Sequence, residues 1–450
     1  MKFKNLSTAV AMLSAMWLIS GCLHSCMSVN YTQDLSFMPE FVAHNYAPEF
    51  TTMSDSVDLY VDYSTCVAEA KKSSYYAATH PSIVDCSPTF YSIKGKNIKK
   101  ETEDRQMVYQ LLSSIKEVNH ADIKQAVGRI VNSNRQAVLI TDGEYYMQGN
   151  VRDNLNNPYL AEEFRAWLRA GRDIYIYSEP YLENGRYGKY RYYMLFTDSE
   201  LENDINERFA RSAPSDDRVK MIHLSNGVPD VSVVKDYPDI NAAVSPMADE
   251  CIANAYIDLQ SYGVSWKDMC KWLGDHDMAV EDRYVFRGLF VNKLVSDCYK
   301  IEEIEPVVYQ IYDDYQEFCD SAYVEGGVPT AGKLKEIKNV FEIDEDIFEE
   351  TGEIVLCIDE DFDGIGDALS TETPNLLKVD FVITEASDNF SVNPELNYAY
   401  KWASISAAQG HAENTSIYES ISQVIKDPYF NPARNEAVIY TVYLSTSRVK

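Results

Sequence analysis

Between residues 55 and 227 the sequence alternates between short apolar segments and longer amphipathic segments. Residues 137–140 (Ala-Val-Leu-Ile) are uninterrupted apolar sequence between turn-forming residues, as is typical of a strand buried on both faces of a parallel sheet. Residues 121–131 carry apolar side chains at the spacing of an amphipathic helix. Repeated alternation of this kind predicts an α/β domain, with an open, mostly parallel sheet and helices on both of its faces.

The same patterns place the other elements of this domain. Strands are predicted at residues 57–61, 137–140, 173–177, 190–196 and 221–224. Helices are predicted at residues 107–115, 121–131, 161–170 and 200–209. Between residues 66 and 107 the sequence shows no periodicity that predicts a helix.

After residue 228 the alternation stops. Residues 228–330 predict a mixed, β-rich middle domain, and the glycine-containing stretch at residues 325–332 is typical of a linker. In residues 331–450, the predicted strands alternate apolar and polar side chains, as half-solvated antiparallel sheets do. We therefore expect a C-terminal β-sandwich-like domain of immunoglobulin-like type.

The N-terminus has the features of an export signal. Lys2 and Lys4 precede an apolar run at residues 6–19, which is followed directly by Ser20-Gly21-Cys22. This pattern resembles the lipobox of bacterial lipoproteins. The resemblance implies removal of residues 1–21, lipidation of Cys22, and a tether over residues 22–54 that anchors the protein in the cell envelope, at the outer membrane. Two short Asp-Ser motifs, at residues 55–57 and 320–322, are similar to the O-glycosylation sequon of exported Bacteroidota proteins.

The charge of the chain limits its partners. The formal net charge is −30, so there is no basic surface with which to displace counterions from a nucleic acid. Binding to anionic lipids through side chains is excluded for the same reason, which leaves the lipid anchor as the contact with the membrane. A surface of this sign suits cations, or neutral ligands such as glycans.

Two acidic residues follow two of the predicted strands. Asp62 comes directly after residues 57–61, and Asp142 comes shortly after residues 137–140. Ligands of open parallel sheets bind beyond the carboxyl ends of the strands, so the two carboxylates meet there if these strands are neighbours. Two close carboxylates repel each other unless a cation or a shared proton lies between them. Together with the hydroxyl of Ser64, they offer the oxygen ligands that Mg²⁺ prefers.

This region resembles a von Willebrand factor A domain with its metal-ion-dependent adhesion site. In that family an Asp-x-Ser-x-Ser loop follows the first strand, a Thr opens a later helix, and Asp-Gly follows the next buried strand. Residues 55–225 show these features in a matching order, with the loop at residues 62–66 and Asp142-Gly143 after the later strand. The chain departs from the pattern at two positions, since Cys66 replaces the second Ser and Asn119 replaces the Thr.

The resemblance implies a function in binding or adhesion. A Mg²⁺ ion at the strand ends would take its last ligand from an acidic group of a protein or glycan partner. The metal ligands that the resemblance implies are Asp62, Ser64, Asp142 and Asn119.

A second acidic cluster lies near the C-terminus. Carboxylates at alternate positions, with Gly364 after the third, match the first half of an EF-hand calcium loop. Ser370 stands where the loop's closing Glu is expected. The candidate Ca²⁺ ligands are Asp359, Asp361, Asp363 and Asp367. The alternative interpretation is an acidic hairpin loop that binds no metal.

Two other functions fit the same strand ends. A metal-assisted hydrolase of extracellular polymers would need a base or nucleophile beside the cation, and His120, Glu144 and Cys66 are the nearby candidates. Alternatively, the protein is a structural envelope lipoprotein with a degenerate site. In that case Asp62 caps a turn and Asp142-Gly143 is simply the turn that follows a strand.

Overall fold

The structure is a computed structural model of the 450-residue chain. It describes residues 32–46, 53–116, 121–144, 158–183, 187–198, 201, 203–225, 231–233, 245–246, 255–258, 284–295, 298–321, 332–359, 375–394, 399–400, 417–446 and 448–449. The predicted signal peptide and Cys22 lie outside these residues. No helix among the described residues is long and apolar enough to cross a bilayer.

The described helices and strands follow one another along the whole chain. The helices are α1 (Met38–Asn45), α2 (Thr65–Ala70), α3 (Ser74–Asp85), α4 (Arg105–Ser113), α5 (Ile123–Val131), α6 (Ala161–Arg169), α7 (Ile205–Ser212), α8 (Tyr312–Ser321), α9 (Glu345–Thr351), α10 (Asn389–Val392) and α11 (Tyr418–Ile425). The strands are β1 (Thr32–Gln33), β2 (Ser54–Asp62), β3 (Thr89–Lys94), β4 (Asn97–Thr102), β5 (Arg135–Thr141), β6 (Asp173–Glu183), β7 (Tyr187–Thr197), β8 (Lys220–Leu224), β9 (Val231–Val233), β10 (Ser245–Pro246), β11 (Ala255–Asp258), β12 (Tyr284–Val291), β13 (Leu294–Val295), β14 (Tyr299–Gln310), β15 (Glu336–Ile337), β16 (Phe341–Ile343), β17 (Glu353–Ile358), β18 (Leu376–Asp388), β19 (Val438–Ser445) and β20 (Arg448–Val449).

The first part of the chain forms a mixed seven-stranded sheet in the order β4-β3-β2-β5-β7-β6-β8. Three neighbouring strands of this sheet, β3, β2 and β5, run parallel to one another. The parallel arrangement stops at β5, because β6 and β7 form an antiparallel hairpin that closes at the pair Glu183–Tyr187. A short connection joins antiparallel strands, whereas parallel neighbours need a long crossover.

Helices cover both faces of this sheet, which confirms the predicted α/β architecture. Along β5, Ala137 and Leu139 point into the core that contains α5 and α6. Val138 and Ile140 point into the opposite core, which contains α2, α3, α4 and α7. β5 is therefore apolar throughout because both of its faces are buried.

Helix α3 lies in the stretch for which no helix was predicted. Its N-cap is Ser73, whose side chain accepts a hydrogen bond of 3.1 Å from the amide of Tyr76. The helix buries the polar side chains of Thr79 and His80 together with apolar ones, and it contains Pro81. Buried polar residues and an internal proline weaken the apolar periodicity from which a helix is predicted.

The later part of the chain is β-rich, as expected, and its sheets combine distant segments. One sheet has the order β10-β11-β19-β18-β14-β13, with β15 paired to β14, and a second has the order β16-β17-β12-β9. β14 pairs with β18, and β12 pairs with β17. The predicted domains at residues 228–330 and 331–450 therefore share both sheets, and the boundary at residue 330 does not separate two sheets.

Part of the predicted tether is folded. α1 buries Phe41 against Tyr315 and Phe318 of α8, with ring centroids 5.5 Å apart in both pairs. β1 pairs with β20 near the C-terminus. The tether predicted for residues 22–54 thus includes a docked segment, because Met38, Phe41 and Val42 form an apolar stripe at helical spacing that is buried against the β-rich part.

The C-terminal part also contacts the α/β part. The amide of Leu160 donates to Ser420 Oγ of α11 over 3.0 Å. Arg165 of α6 forms an ion pair of 2.9 Å with Asp427. Ile417 approaches Gly143, which follows the end of β5. The two parts therefore meet beside the strand ends that were predicted to carry the site.

Candidate metal centre

The central strands bring the two predicted carboxylates to one edge of the sheet. β2 and β5 are parallel neighbours, with Val61 opposite Ile140. Asp62 is the last residue of β2, and Asp142 follows β5 directly. Because neighbouring parallel strands end at the same edge, both side chains leave the sheet there.

A third donor joins them. One carboxylate oxygen each of Asp62 and Asp142 and the sulfur of Cys66 lie within 4.8 Å of one another. We call these three residues the strand-end cluster. Asp62 is 1% exposed and Cys66 is fully buried; Asp142 keeps part of its surface although its carboxyl group is desolvated. Within the described part of the chain, no other group of His, Cys, Asp and Glu side chains has this geometry.

The two carboxylate oxygens of Asp62 differ in their hydrogen bonding. Its Oδ2 accepts a hydrogen bond of 2.8 Å from the hydroxyl of Thr141, the last residue of β5. Its Oδ1 is buried and makes no hydrogen bond of regular geometry with the described residues, although the hydroxyl and amide of Ser64 lie close to the carboxylate. Burial raises the pKa of Asp62 to about 6. A buried acceptor without a regular hydrogen bond opposes folding by about 1–3 kcal/mol, so a proton or a cation at this oxygen would be stabilising.

Asp142 is held by the turn that follows β5. Its Oδ1 accepts a hydrogen bond of 3.0 Å from the amide of Glu144, and the amide of Gly143 donates to Thr141 Oγ1 over 3.1 Å. Burial, together with the nearby carboxylates of Glu144 and Asp62, raises the pKa of Asp142 well above its usual range. Two carboxyl groups with raised pKa values in one cluster need either a shared proton or a cation between them.

Cys66 lies at the start of α2, and its backbone is fixed by a buried arginine. Arg191 donates to the Cys66 carbonyl oxygen from Nε over 3.1 Å and from Nη2 over 2.6 Å. Arg191 also forms an ion pair of 2.7 Å with Glu179, which accepts a further hydrogen bond of 2.7 Å from the hydroxyl of Tyr193. Burial raises the pKa of the Cys66 thiol, and the carboxylates of Asp142 and Asp62 add to this effect.

Sequence reasoning missed the Arg191–Glu179 pair. Both residues are almost fully buried in the β6–β7 hairpin. The signal was a charged residue at position 191 within a strand of aromatic and apolar residues, since a charge there needs a buried partner. The partner could not be identified before the register of the hairpin was known.

The other residues predicted for the site lie partly beside the cluster and partly outside the described residues. Ser64 lies beside the cluster, where its hydroxyl donates to Cys66 Sγ over 3.4 Å. Glu144, one of the candidate bases, forms an ion pair of 2.7 Å with Lys189. Asn119 and His120 lie outside the described residues.

The predicted calcium loop is described only at its first residue. The amide of Asp359, directly after β17, donates to the carbonyl oxygen of Val340 over 3.1 Å. Asp361, Asp363 and Asp367 lie outside the described residues, so calcium binding there stays a prediction.

A pocket of about 430 Å³ lies next to the strand-end cluster. Arg191 lines it and also contacts Cys66, so this arginine separates the pocket from the cluster. The other lining residues that carry charge or aromatic rings are Glu69, Lys72, Tyr75, Glu179, Tyr181, Asp216 and Arg218. The pocket is lined mainly by charged side chains of both signs.

Similarity to known proteins gives no separate indication of function. Comparison of the chain with protein-family models, curated proteins and solved structures finds no match in any of the three. What the protein does is therefore inferred from the residues of the strand-end cluster.

Proposed function

We propose that this protein is a lipid-anchored binding protein of the cell envelope whose α/β domain binds its partner through a divalent cation. Asp62 and Asp142 would hold the cation, with Ser64 beside them, in a site similar to that of von Willebrand factor A domains. The observation that carries the proposal is Asp62 Oδ1, a buried carboxylate oxygen without a regular hydrogen bond among the described residues, in a cluster of three metal-ligating side chains.

The residues around the cluster orient the two carboxylates. The Thr141 hydroxyl donates to Oδ2 of Asp62 and so leaves Oδ1 available. The turn at Gly143 and Glu144 fixes Asp142 through the backbone. The cation would supply positive charge and coordination positions for an acidic oxygen of a protein or glycan.

The structure favours binding over hydrolysis. A hydrolase needs an available base or nucleophile beside the cation. Glu144 is engaged by Lys189, and Cys66 is fully buried within the cluster as one of its three donors, so neither is an available base or nucleophile. Export and lipidation at Cys22 are proposed from the sequence of the first 22 residues.

The effect of metal ions on stability tests whether the protein binds a cation. A ligand bound only by the folded state stabilises it by about 2.7 kcal/mol at a hundred times its Kd. We therefore expect the melting temperature of the chain carrying Cys22→Ser to be higher in excess Mg²⁺, Mn²⁺, Ca²⁺ or Zn²⁺ than in EDTA, for at least one ion. Asp142→Asn should abolish the difference. Asp122→Asn should keep it, since Asp122 caps α5 outside the cluster and Asn caps as well.

The relaxation of water protons by bound Mn²⁺ tests whether a partner can complete the coordination of the cation. If a partner completes the coordination, bound Mn²⁺ keeps exchangeable water and enhances the relaxation of bulk water protons. Glutarate, as a small carboxylate probe, should reduce that enhancement in the wild-type protein. Identical melting curves in every ion and in EDTA would refute the cation, whereas bound Mn²⁺ without exchangeable water would refute the binding function and indicate a structural metal.

A further inference from the structure

The sulfur of Cys66 is the donor that distinguishes this cluster from an all-oxygen site. Cys66 is a free cysteine and is fully buried at the start of α2. Its Sγ accepts a hydrogen bond of 3.4 Å from the Ser64 hydroxyl. The serine hydroxyl therefore faces the sulfur, which is the donor placement that stabilises a thiolate.

The sulfur also faces the buried carboxylates rather than an apolar pocket. It lies within 4.8 Å of a carboxylate oxygen of each aspartate. Zinc binds its ligands at about 2.0–2.3 Å in tetrahedral geometry, so neighbouring donor atoms lie about 3.3–3.8 Å apart. The three donors of the cluster all lie within 4.8 Å of one another, so shifts of about 1 Å or less would bring them to a common ion. The buried Oδ1 of Asp62, which has no regular hydrogen bond, is an independent indication that a ligand belongs there.

Charge near the cluster favours an ionised sulfur once a metal is bound. Two carboxylates and a thiolate carry three negative charges, which a divalent ion alone does not balance. The buried guanidinium of Arg191 donates to the Cys66 carbonyl oxygen and lowers the pKa of the thiol, while its own charge is paired with Glu179. Cysteines next to arginine ionise more readily.

We propose that the cluster selects a thiophilic divalent ion of the zinc class over Mg²⁺ and Ca²⁺, with Cys66 as its thiolate ligand beside Asp62 and Asp142. This inference rests on the proposed function, because it names the ion of the same site. Soft thiolate ligands favour zinc and its neighbours, whereas Mg²⁺ and Ca²⁺ take oxygen ligands. On binding, the S–H bond is replaced by an S–metal bond and one proton is released to water, with no change of oxidation state.

Cobalt(II) substitution tests the proposal, because a thiolate bound to cobalt gives a sulfur-to-metal charge-transfer band in the near ultraviolet. We expect the reduced wild-type protein to bind one Co²⁺ with this band, and Zn²⁺, but not excess Mg²⁺, to displace it. Cys66→Ser should remove the band and lower the preference for Zn²⁺ over Mg²⁺ by about 100-fold or more. Cys357→Ser, which changes a buried thiol in β17, should leave both unchanged.

A second measurement needs no variant. Zinc-edge X-ray absorption of the wild-type protein loaded with Zn²⁺ should show one sulfur neighbour at about 2.3 Å. This measurement shows whether any cysteine sulfur binds the ion even if Cys66→Ser does not fold, and a zinc ion without a sulfur neighbour would overturn the proposal.

The outcomes separate the two proposals. Binding of Co²⁺ that depends on Asp142 but shows no sulfur band would overturn the thiolate ligand and leave the cation-dependent function standing. A band that persists in Cys66→Ser would also overturn it, since another cysteine would then be the ligand. If the wild-type protein bound none of the ions tested, the proposed function would fail and this inference with it.

Discussion

At the scale of single residues, Asp62 opposes folding in the metal-free protein. Its pKa of about 6 lies above the ordinary value of 3.8, so ionisation destabilises the fold as the pH rises through this range. Asp62→Asn should therefore raise the free energy of unfolding in EDTA at pH 7.5 by about 1–3 kcal/mol, measured by urea denaturation, and should abolish stabilisation by metal. Asp122→Asn is the control. A less stable Asp62→Asn protein in EDTA would show that the carboxylate has a structural role instead.

His80 makes stability depend on pH at a site away from the cluster. Burial lowers the pKa of His80 from 6.5 to about 4, so the unfolded chain binds a proton at a higher pH than the folded one. The stabilisation is present above pH 6.5 and is lost as the pH falls towards 4, by up to about 3 kcal/mol. His80→Gln should flatten the fall in unfolding free energy between pH 6.5 and 4. His44→Gln, at an exposed position, should not, and an equal effect of both changes would contradict this assignment.

The position of the site could be predicted from the sequence more readily than the identity of its metal-ligating atoms. Asp62 and Asp142 were placed together because each follows a buried strand and parallel strands end at one edge. The approach of Cys66 depends on how α2 turns after β2, and the Arg191 contact depends on the register of a hairpin. The loop pattern already placed Cys66 near the site, but neither the direction of its sulfur nor the Arg191 contact is encoded in local spacing, so the expected metal ligands were all oxygen or amide donors.

At the scale of elements, periodicity predicted the helices with a clean apolar face and missed the others. α5 and α6 were expected within two residues of their observed bounds because their buried side chains recur at helical spacing. α3 was missed because it buries polar residues. The antiparallel hairpin of β6 and β7 was also not anticipated. A short connection between two strands makes them antiparallel. β6 and β7 both extend beyond their predicted bounds, and this leaves only a short connection between them.

The turn after β5 is the element that positions Asp142, and Gly143 is required there. Gly143 has φ +70°, and a Cβ at this position would lie 2.9 Å from the Tyr192 ring. Gly143→Ala should therefore destabilise the protein by about 2–4 kcal/mol, from left-handed strain plus overpacking, and weaken metal binding. Gly171→Ala has the same strain at φ +77° but open space around its Cβ, so about 1–2 kcal/mol is expected. Equal losses in thermal or urea unfolding would argue against the ring contact.

At the scale of the whole molecule, the β-rich part could be predicted by class but not by connectivity. The alternating strands β17, β18 and β19 were recognised individually. Their partners β12, β14 and β11 lie far away in sequence, and apolar alternation carries no information about which strands pair. For this reason a domain boundary was predicted at residue 330, in a glycine-containing segment, although strands on either side of it pair with each other.

The docked segment at residues 32–46 changes how far the protein can extend from a membrane. If Cys22 carries the lipid, the nine residues 23–31 remain between the anchor and this segment, which limits their reach to about 30 Å. Docking depends on Phe41, which is fully buried against Tyr46, Tyr315 and Phe318. Phe41→Ala should lower the unfolding free energy by about 3–5 kcal/mol if the segment unfolds together with the β-rich part.

Limited proteolysis distinguishes undocking from global unfolding. In Phe41→Ala, we expect cleavage within residues 32–46 at protease concentrations that leave the remainder of the chain intact, because local opening exposes the segment first. Val392→Ala removes an exposed apolar side chain and should alter neither stability, beyond about 0.5 kcal/mol, nor cleavage. Cleavage of wild-type and Phe41→Ala proteins at the same rate would mean that the segment is not held by this contact. The reach from the membrane would then be that of the longer tether, because residues 32–46 would add their own length to it.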